Sequence, residues 1–295
     1  MQKRITTYKP NQRHDRKIIS SWCEMAINIY SARELIWQLF KRDFFAVYKK
    51  SFIGYGWIIL TPLFGIVQWV FLQFTGILQP GDVGLPYPIF ILVGSSMWGL
   101  FIGSYHASSS TLSSGADLIM QVNYPHEALL FQQLANHLAN FTITLCLNIF
   151  VLFSLVIFSP EKFSVDFPNF GMLLFPIVAL PVLLFASSIG LIFSMVSIVA
   201  FDVNRLFSAG IGLLLFITPT IYTVDVINNT IASKVISWNP LTYLICSCRD
   251  ILIYGNVYQG NWTAWSLSFL LSIFMFLFSW RLFYISETKI IERMV

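Results

Sequence analysis

Charged residues are scarce in this sequence, and their scarcity excludes an ordinary soluble domain. Lys, Arg, Asp and Glu make up 11% of the 295 residues, whereas 56% of the residues are hydrophobic and 17% are aromatic. Soluble domains carry about a quarter of their residues as charges. The composition therefore predicts a chain that crosses a membrane several times.

Cysteine is also rare, and the sequence motifs of catalysis and nucleotide binding are missing. Among the four cysteines, Cys246 and Cys248 are separated by a single residue, which is not a metal-binding or redox spacing. The sequence has no G-x-x-x-x-G-K-[ST] to hold a phosphate, no H-E-x-x-H and no G-x-S-x-G. His126 beside Glu127 is the only local pair that a membrane-bound acyl- or glycosyltransferase could use, so we regard an enzyme as the weaker hypothesis.

Positive charge is concentrated at the amino-terminal end. Residues 1–50 hold eleven Lys and Arg against four Asp and Glu, a net charge of +7, and the remainder holds seven against ten, a net charge of −3. Lys and Arg are enriched on the cytoplasmic side of membrane proteins, which places this end in the cytoplasm. Orientation explains the basic segment more simply than nucleic-acid binding, because the segment leads directly into an apolar run. No short apolar run follows Met1, so we expect no cleavable signal peptide.

Residues 31–50 have the pattern of an amphipathic helix at a membrane surface. Ser31 and Glu34 have the spacing of a capping box, which predicts that the helix begins at Ser31. Apolar residues then recur every three or four positions with basic residues between them, which is typical of a helix in the headgroup layer. The basic residues are Lys41, Arg42, Lys49 and Lys50. Residues 1–30 are expected to form a cytoplasmic extension that is partly disordered.

Six apolar runs follow, which predicts an all-α polytopic membrane protein with six transmembrane helices. Six crossings place both termini in the cytoplasm, with residues 286–295 as a tail and a charged turn at Asp202 and Arg205 between the fourth and fifth runs. Residues 224–262 are too long for a turn and too polar for a span, which predicts re-entrant half-helices on the outer side. Within a transmembrane domain of residues 51–285, the runs cover about 53–78, 89–110, 129–158, 172–201, 206–223 and 262–284.

Hydrogen-bonding side chains recur inside these runs. Gln68 in the first run would be costly against lipid, so its stripe is expected to face other helices or a water-filled path. That stripe comprises Trp57, Thr61, Phe64, Gln68 and Phe71, and the fifth run has a similar mixture at Ser208, Thr218 and Tyr222. The start of the third run is polar, which favours hydrogen bonds between helices over a ligand site. Its polar residues are Gln132, Gln133, Asn136, His137 and Asn140.

Small residues in the second run permit close contact between helices. Ser95, Gly99, Gly103 and Ala107 are each four positions apart, and the contact could lie within the chain or between two copies. Every acidic residue maps to a loop or to a helix end, whereas carriers driven by ion gradients usually bury acids along their path. This pattern favours transport driven by a separate ATPase.

Five segments carry a family resemblance. They are LIWQLFKRDFFAVYKKSFIGYGWIILTP at 35–62, YPIFILVGSSMWGLF at 87–101, LIMQVNYPHEAL at 118–129, ASSIGLIFSMVSIVAFDVNR at 186–205, and TPTIYTVD with WNPLTYLICSCRDILIYG at 218–255. In this order they resemble the polysaccharide-exporting branch of the type-2 ABC transporter permeases. The chain departs from that pattern at Gln121, where a basic residue is common, at Phe201, which replaces an Arg, and in its first 30 residues, which are additional.

The resemblance implies a homodimeric permease that works with two copies of a cytoplasmic ABC ATPase and exports a lipid-linked polysaccharide of O-antigen or capsule type across a bacterial inner membrane. ATP and Mg²⁺ would bind the partner subunit, and no cofactor would bind this chain. Residues 115–128 would form the segment that couples to the ATPase, with Asp117, Leu118, Gln121, Tyr124, Pro125, His126 and Glu127 as candidates. The polar and aromatic stripes of the first and fifth runs would line the substrate path.

Two related functions stay open at this point. A teichoic-acid or other glycolipid exporter would share the same architecture. A drug or small-lipid exporter is less favoured, because the interface helix and the Asn239-Pro240-Leu241 segment resemble the polysaccharide branch.

Overall fold

The computed structural model describes residues 17–49, 52–78, 81, 83–114, 126–158, 168–224 and 230–294, and within these ranges the chain is helical and has no strand. The predicted all-α class is confirmed. The helices are α1 (Ile18–Ser31), α2 (Arg33–Lys49), α3 (Trp57–Phe74), α4 (Tyr87–Ser109), α5 (Thr111–Ser114), α6 (His126–Phe158), α7 (Phe175–Val199), α8 (Phe201–Ile217), α9 (Thr230–Trp238), α10 (Pro240–Ile253) and α11 (Trp262–Met294).

Four of the described helical segments are long and apolar enough to cross a membrane. They are Tyr87–Ser109, His126–Phe158, Phe170–Ile198 and Trp262–Ser286. The apolar parts of α3 and α8, Ile59–Phe74 and Arg205–Ile217, are shorter. With all of its 18 residues, α3 reaches about 27 Å at about 1.5 Å per residue, close to the thickness of the hydrocarbon core. The protein is a multi-pass membrane protein, and a count of six crossings stays a prediction.

The amino-terminal helices differ from the prediction. Ser31 is the last residue of α1, and α2 begins at Arg33, so Ser31 does not cap α2 and the predicted capping box is wrong. The backbone N–H of Ala32, between the two helices, donates to the carbonyl of Asn28 at 3.0 Å and closes α1 instead. The extension expected over residues 1–30 is helical from Ile18 onward, because burial of Ser21 and Met25 adds tertiary contacts that the local pattern does not reveal.

The boundary between the fourth and fifth spans also differs. The helix α7 ends at Val199, and Ala200 adopts an extended conformation with φ of −145° and ψ of 89°. Asp202 and Arg205 therefore lie in the first turns of α8, and the predicted charged turn is wrong. An acidic residue in a first turn is stabilised by the positive end of the helix dipole, which accounts for the position of Asp202.

Helices α4, α7 and α11 form the centre of the molecule, and α10 packs on all three. The core contains Phe90, Ile91, Phe101, Val182 and Leu244, each fully buried. A second cluster joins α1 to the ends of α6, α7 and α11 through Met25, Leu112, Leu130, Leu191, Phe283 and Tyr284. With 14 residues, α10 is too short to cross the membrane, and the predicted side on which α9 and α10 lie stays a prediction.

Two glycines allow neighbouring helices to approach closely. A Cβ at Gly190 of α7 would lie 2.5 Å from Cβ of Ser108 and 2.6 Å from the carbonyl oxygen of Tyr105, both on α4. A Cβ at Gly103 of α4 would lie 2.1 Å from the His137 ring of α6. Gly103, one member of the predicted small-residue ladder, therefore serves packing within the chain, whereas Gly99 has no atom within 4 Å of an added Cβ.

Candidate functional site

The predicted stripe on the first span lies on one exposed face of α3. Trp57, Thr61 and Gln68 are exposed, and the rings of Phe64 and Phe71 are 64% and 62% exposed. The rest of the helix contacts α4 and α6. The structure thus brings all five residues of the stripe to one surface of a single chain, where rings alternate with a hydroxyl and an amide.

The three candidates of the fifth span do not share one surface. Ser208 in α8 is half-buried, and its hydroxyl lies 3.2 Å from the hydroxyl of Tyr105. Thr218 is fully buried and its Oγ1 accepts a hydrogen bond of 3.2 Å from Nδ2 of Asn239, so it joins α8 to the segment before α10. Tyr222 is half-buried and donates to the carbonyl of Phe216 at 2.8 Å.

The first and fifth spans are nevertheless neighbours. The rings of Trp69 in α3 and Phe216 in α8 meet edge to face, with centroids 6.4 Å apart. Phe216 is 58% exposed, and Leu213 beside it is exposed as well. Since α3 and α8 touch at this contact, their exposed side chains are available to one and the same environment, whether lipid, a second protomer or a substrate.

The surface helix α2 combines cations with exposed rings. Nζ of Lys41 lies 4.9 Å from the centroid of the Trp37 ring, and Nε of Arg42 donates to Oδ1 of Asp43 at 2.6 Å. This hydrogen bond from Asp43 raises the pKa of Arg42 above its ordinary value, so the guanidinium stays charged. Exposed rings at Trp37 and Phe45 suit the headgroup layer predicted for this helix. Lys50 lies outside the described residues, and only the backbone of Lys49 is described.

A polar contact ties α2 to the third span. The second carboxylate oxygen of Asp43 accepts a hydrogen bond of 2.8 Å from Nε2 of Gln132 in α6. Leu39 of α2 packs against Ala128 and Leu129 at the start of α6. Gln133 and His137 also bond to other helices, so the predicted hydrogen bonding between helices is confirmed for three of the polar residues of this span. Motion of α2 would therefore be transmitted to α6.

Most of the predicted coupling segment lies outside the described residues. This applies to Asp117, Leu118, Gln121, Tyr124 and Pro125. His126 and Glu127 open α6, and both are buried, Glu127 with 1% of its surface exposed. In the isolated chain neither side chain presents a docking surface, and neither is accessible to an enzyme substrate.

Sequence reasoning missed a buried ion pair in α10. Nε of Arg249 donates to Oδ1 of Asp250 at 2.7 Å, and its Nη1 donates to the carbonyl of Pro219 at 2.7 Å. The guanidinium also lies 4.4 Å from the centroid of the Phe90 ring. Asp250 is buried although it lies near a helix end, which corrects the expectation that acids lie outside the core. Two adjacent charges in an apolar stretch were the available signal.

The amino-terminal helix is attached to the last helix by polar contacts. The hydroxyl of Tyr284 donates to Oε2 of Glu24 at 2.6 Å, and Nη1 of Arg281 donates to the hydroxyl of Ser21. Sequence reasoning could not find these partners, because they are 260 positions apart along the chain. They join α1 to the final helix of the transmembrane domain.

Replacing Tyr284 by Phe is expected to loosen α1. The change removes a hydrogen bond to a carboxylate, which contributes about 1.5–3 kcal/mol. Hydrogen–deuterium exchange of residues 18–31 should become faster in Tyr284→Phe, whereas Tyr243→Phe, which loses an exposed bond to the carbonyl of Ser237, should leave it unchanged. Unchanged protection of α1 in Tyr284→Phe would show that apolar burial alone holds the helix.

Among the described residues, no group of three His, Cys, Asp or Glu side chains is placed to hold a metal ion. The model of the ABC-2 type transporter family, a family of membrane permeases, matches residues 34–253 of the chain. The chain belongs to the ABC-2 type transporter family. The match begins within α2 and ends at the last residue of α10. Helices α1 and α11, which the Glu24 and Arg281 contacts join, lie outside the region that matches this transporter family.

Curated relatives of this ABC-2 transporter chain span most of its length. It is 27% identical over 224 residues to the O-antigen export system permease protein RfbA of Myxococcus xanthus, which covers 76% of this chain and 82% of the relative. It is 26% identical over 235 residues to the RfbA permease of Klebsiella pneumoniae, which covers 79% of this chain and 86% of the relative.

Proposed function

We propose that this chain is the membrane permease of an exporter that moves a lipid-linked polysaccharide of O-antigen type from the cytoplasm across the bacterial inner membrane. The observation that carries the proposal is the similarity to two permeases of O-antigen export over more than three quarters of the chain. The exposed face of α3 supports it, because rings stack on the apolar faces of sugars and the hydroxyl and amide between them bond to sugar hydroxyls.

ATP hydrolysis takes place on a separate subunit in this proposal. Two copies of the permease associate with two cytoplasmic ATPase subunits, which hold ATP and Mg²⁺, and both termini of the permease lie in the cytoplasm. Closure of the ATPase pushes on residues 115–128 and on α2. The contacts of Asp43 with Gln132 and of Leu39 with Leu129 support transmission of this push to α6. The spans α3 and α8 of the two protomers then separate and open a path.

Deletion of the gene in its host tests this function. We expect lipid-linked polymer to accumulate in the cytoplasm and surface glycan to be lost, and the intact gene to restore it. Fractionation of the lipid-linked polymer and immunoblotting of the surface glycan are the measurements. Normal surface glycan in the deletion strain would refute the proposal and favour a drug or small-lipid exporter. A loss of teichoic acid or of capsule in place of O-antigen would assign the other glycan substrates.

The lining of the path is tested by replacing rings with Ala. The double variant Phe64→Ala and Tyr222→Ala is expected to reduce the rate of glycan export about tenfold, because each lost stacking contact contributes about 0.5–1.5 kcal/mol beyond its buried area. Phe150→Ala is the matched control, since Phe150 is an exposed ring on α6, away from α3 and α8. The rate of appearance of surface glycan after induction is the measurement. Unchanged export in the double variant would exclude these two rings from the path.

A further inference from the structure

A polar cleft lies among the apolar helices, apart from the exposed face of α3. It has a volume of ≈ 440 Å³ and is formed by the end of α4, by α5, and by residues of α6 and α8. Its lining consists of hydroxyl, amide, imidazole and methyl groups, and no lining residue is an acid, a Lys or an Arg. The lining residues are His106, Ala107, Ser109, Ser110, Ser113, Gln133, Asn136, His137, Asn140 and Ser208.

Polar groups at this density are costly inside a membrane unless they face one another, water or a ligand. Some of them do face one another: Nε2 of Gln133 donates to the hydroxyl of Ser114 at 3.1 Å, and the hydroxyl of Ser208 lies 3.2 Å from that of Tyr105. These bonds leave a cleft between the helices and do not fill it. The contents of the cleft must therefore be polar.

The ring of His137 is held in one orientation. Its Nε2 lies 3.2 Å from the carbonyl oxygen of Leu100, and because a carbonyl only accepts, Nε2 carries the hydrogen. In the neutral ring Nδ1 is then an acceptor. Gly103 provides the space for this ring, since a Cβ there would lie 2.1 Å from it. His137 therefore brings a positioned acceptor to the wall of the cleft.

Asn136 brings a second acceptor. Its Oδ1 is buried and has no hydrogen-bond partner in the part of the chain that the structure describes. A buried acceptor without a donor is destabilising, so this atom indicates a donor that comes from outside the described helices. Asn136 lies one turn before Asn140, whose Nδ2 donates to the main-chain carbonyl of Asn136 at 3.1 Å.

We propose that this cleft binds an uncharged sugar unit of the transported glycolipid, an inference that rests on the function proposed above. Sugar hydroxyls donate and accept, which matches the amides, hydroxyls and imidazoles of the lining. A phosphate group is not the ligand, because the lining offers no Lys or Arg to neutralise it. With six crossings the cleft lies in the cytoplasmic half of the membrane, and Ser208 connects it to the path helix α8. The cleft holds the sugar before it enters the path.

Photocrosslinking in the host tests contact between the cleft and the glycan. A benzophenone amino acid is placed at Asn136, or at Asn140, in the full chain, the cells are irradiated, and the purified chain is probed with antiserum against the surface glycan. We expect glycan adducts at both positions. The same substitution at Thr142 is the control, because Thr142 is exposed on α6 and does not line the cleft. Adducts of equal yield at Thr142, or none at Asn136 and Asn140, would overturn the proposal.

Export provides a second measurement. The double variant Gln133→Leu and Asn136→Leu is expected to lower the initial export rate about tenfold, a factor typical of a lost hydrogen bond and equivalent to about 1.4 kcal/mol. Thr142→Val should export normally, and Asn136→Gln should recover part of the loss. If the intact gene restores surface glycan and the double variant exports at the normal rate, the cleft proposal fails and the proposed function stands. If the intact gene does not restore surface glycan, the proposed function itself fails. If the double variant does not accumulate in the membrane, the crosslinking result decides.

Discussion

Replacing Arg249 by Met is expected to cost about 3–5 kcal/mol of the free energy of unfolding, because the change leaves the carboxylate of Asp250 buried without its cation. The two side chains are 4% and 10% exposed. Arg249 also donates to the carbonyl of Pro219 at 2.7 Å and to that of Thr220 at 3.3 Å, so the segment between α8 and α9 loses its attachment to α10. Unfolding by SDS in mixed micelles measures the loss, and the amount of the variant in the membrane should fall with it.

Two comparisons separate this effect from a general effect of charge removal. Lys234→Met removes an exposed cation from α9 and should change the free energy of unfolding by less than about 0.5 kcal/mol. Adding Asp250→Asn to Arg249→Met removes the unpaired carboxylate and should recover part of the stability. If Arg249→Met unfolds at the SDS concentration of the unchanged protein, the ion pair does not hold α10 in place.

Replacing Gly190 by Ala is expected to separate α4 from α7. The new Cβ would lie 2.6 Å from the carbonyl oxygen of Tyr105 and 2.5 Å from Cβ of Ser108. Because Tyr105 presents backbone and not a flexible side chain, relief requires the helices to move apart, and overpacking of this kind costs about 1–3 kcal/mol. The free energy of unfolding of the purified chain is again the measurement.

The same substitution at Gly210 should have the opposite sign. An added Cβ at Gly210 has no heavy atom within 4 Å, and Gly to Ala in a helix interior is favourable by up to about 1 kcal/mol. The pair Gly190→Ala and Gly210→Ala therefore distinguishes close helix contact from helix propensity. Equal stabilisation at both positions would mean that α4 and α7 do not meet as closely at Gly190 as the structure indicates.

The stripe on α3 was predictable because it depends only on helical periodicity. Residues three or four positions apart share a face of any helix, so Trp57, Phe64 and Phe71 lie together whatever surrounds them. Thr218 shows the limit of this reasoning. It follows the end of α8, where the periodicity no longer holds, and it is buried against Asn239.

Helix boundaries were less predictable than helix faces. The spacing of Ser31 and Glu34 is that of a capping box, yet the preceding residues are helical through Ser31 because Met25 is buried in a tertiary cluster. At Ala200 the chain breaks before the charged residues and not at them. Local propensity is a weak prior at such positions, and tertiary packing overrides it.

The sequence by itself determined the class of this protein: the low charge and long apolar runs require helices in a membrane, because only helices or closed barrels satisfy the backbone there. Its ordered motifs also indicated the transporter family that the comparison with known proteins established. Only the tertiary structure paired Arg249 with the carbonyls of Pro219 and Thr220, joined Glu24 to Tyr284, and placed Asn136 and Ser208 around one polar cleft. Such contacts join residues far apart in the chain, and their geometry depends on how whole helices pack, which no local pattern encodes.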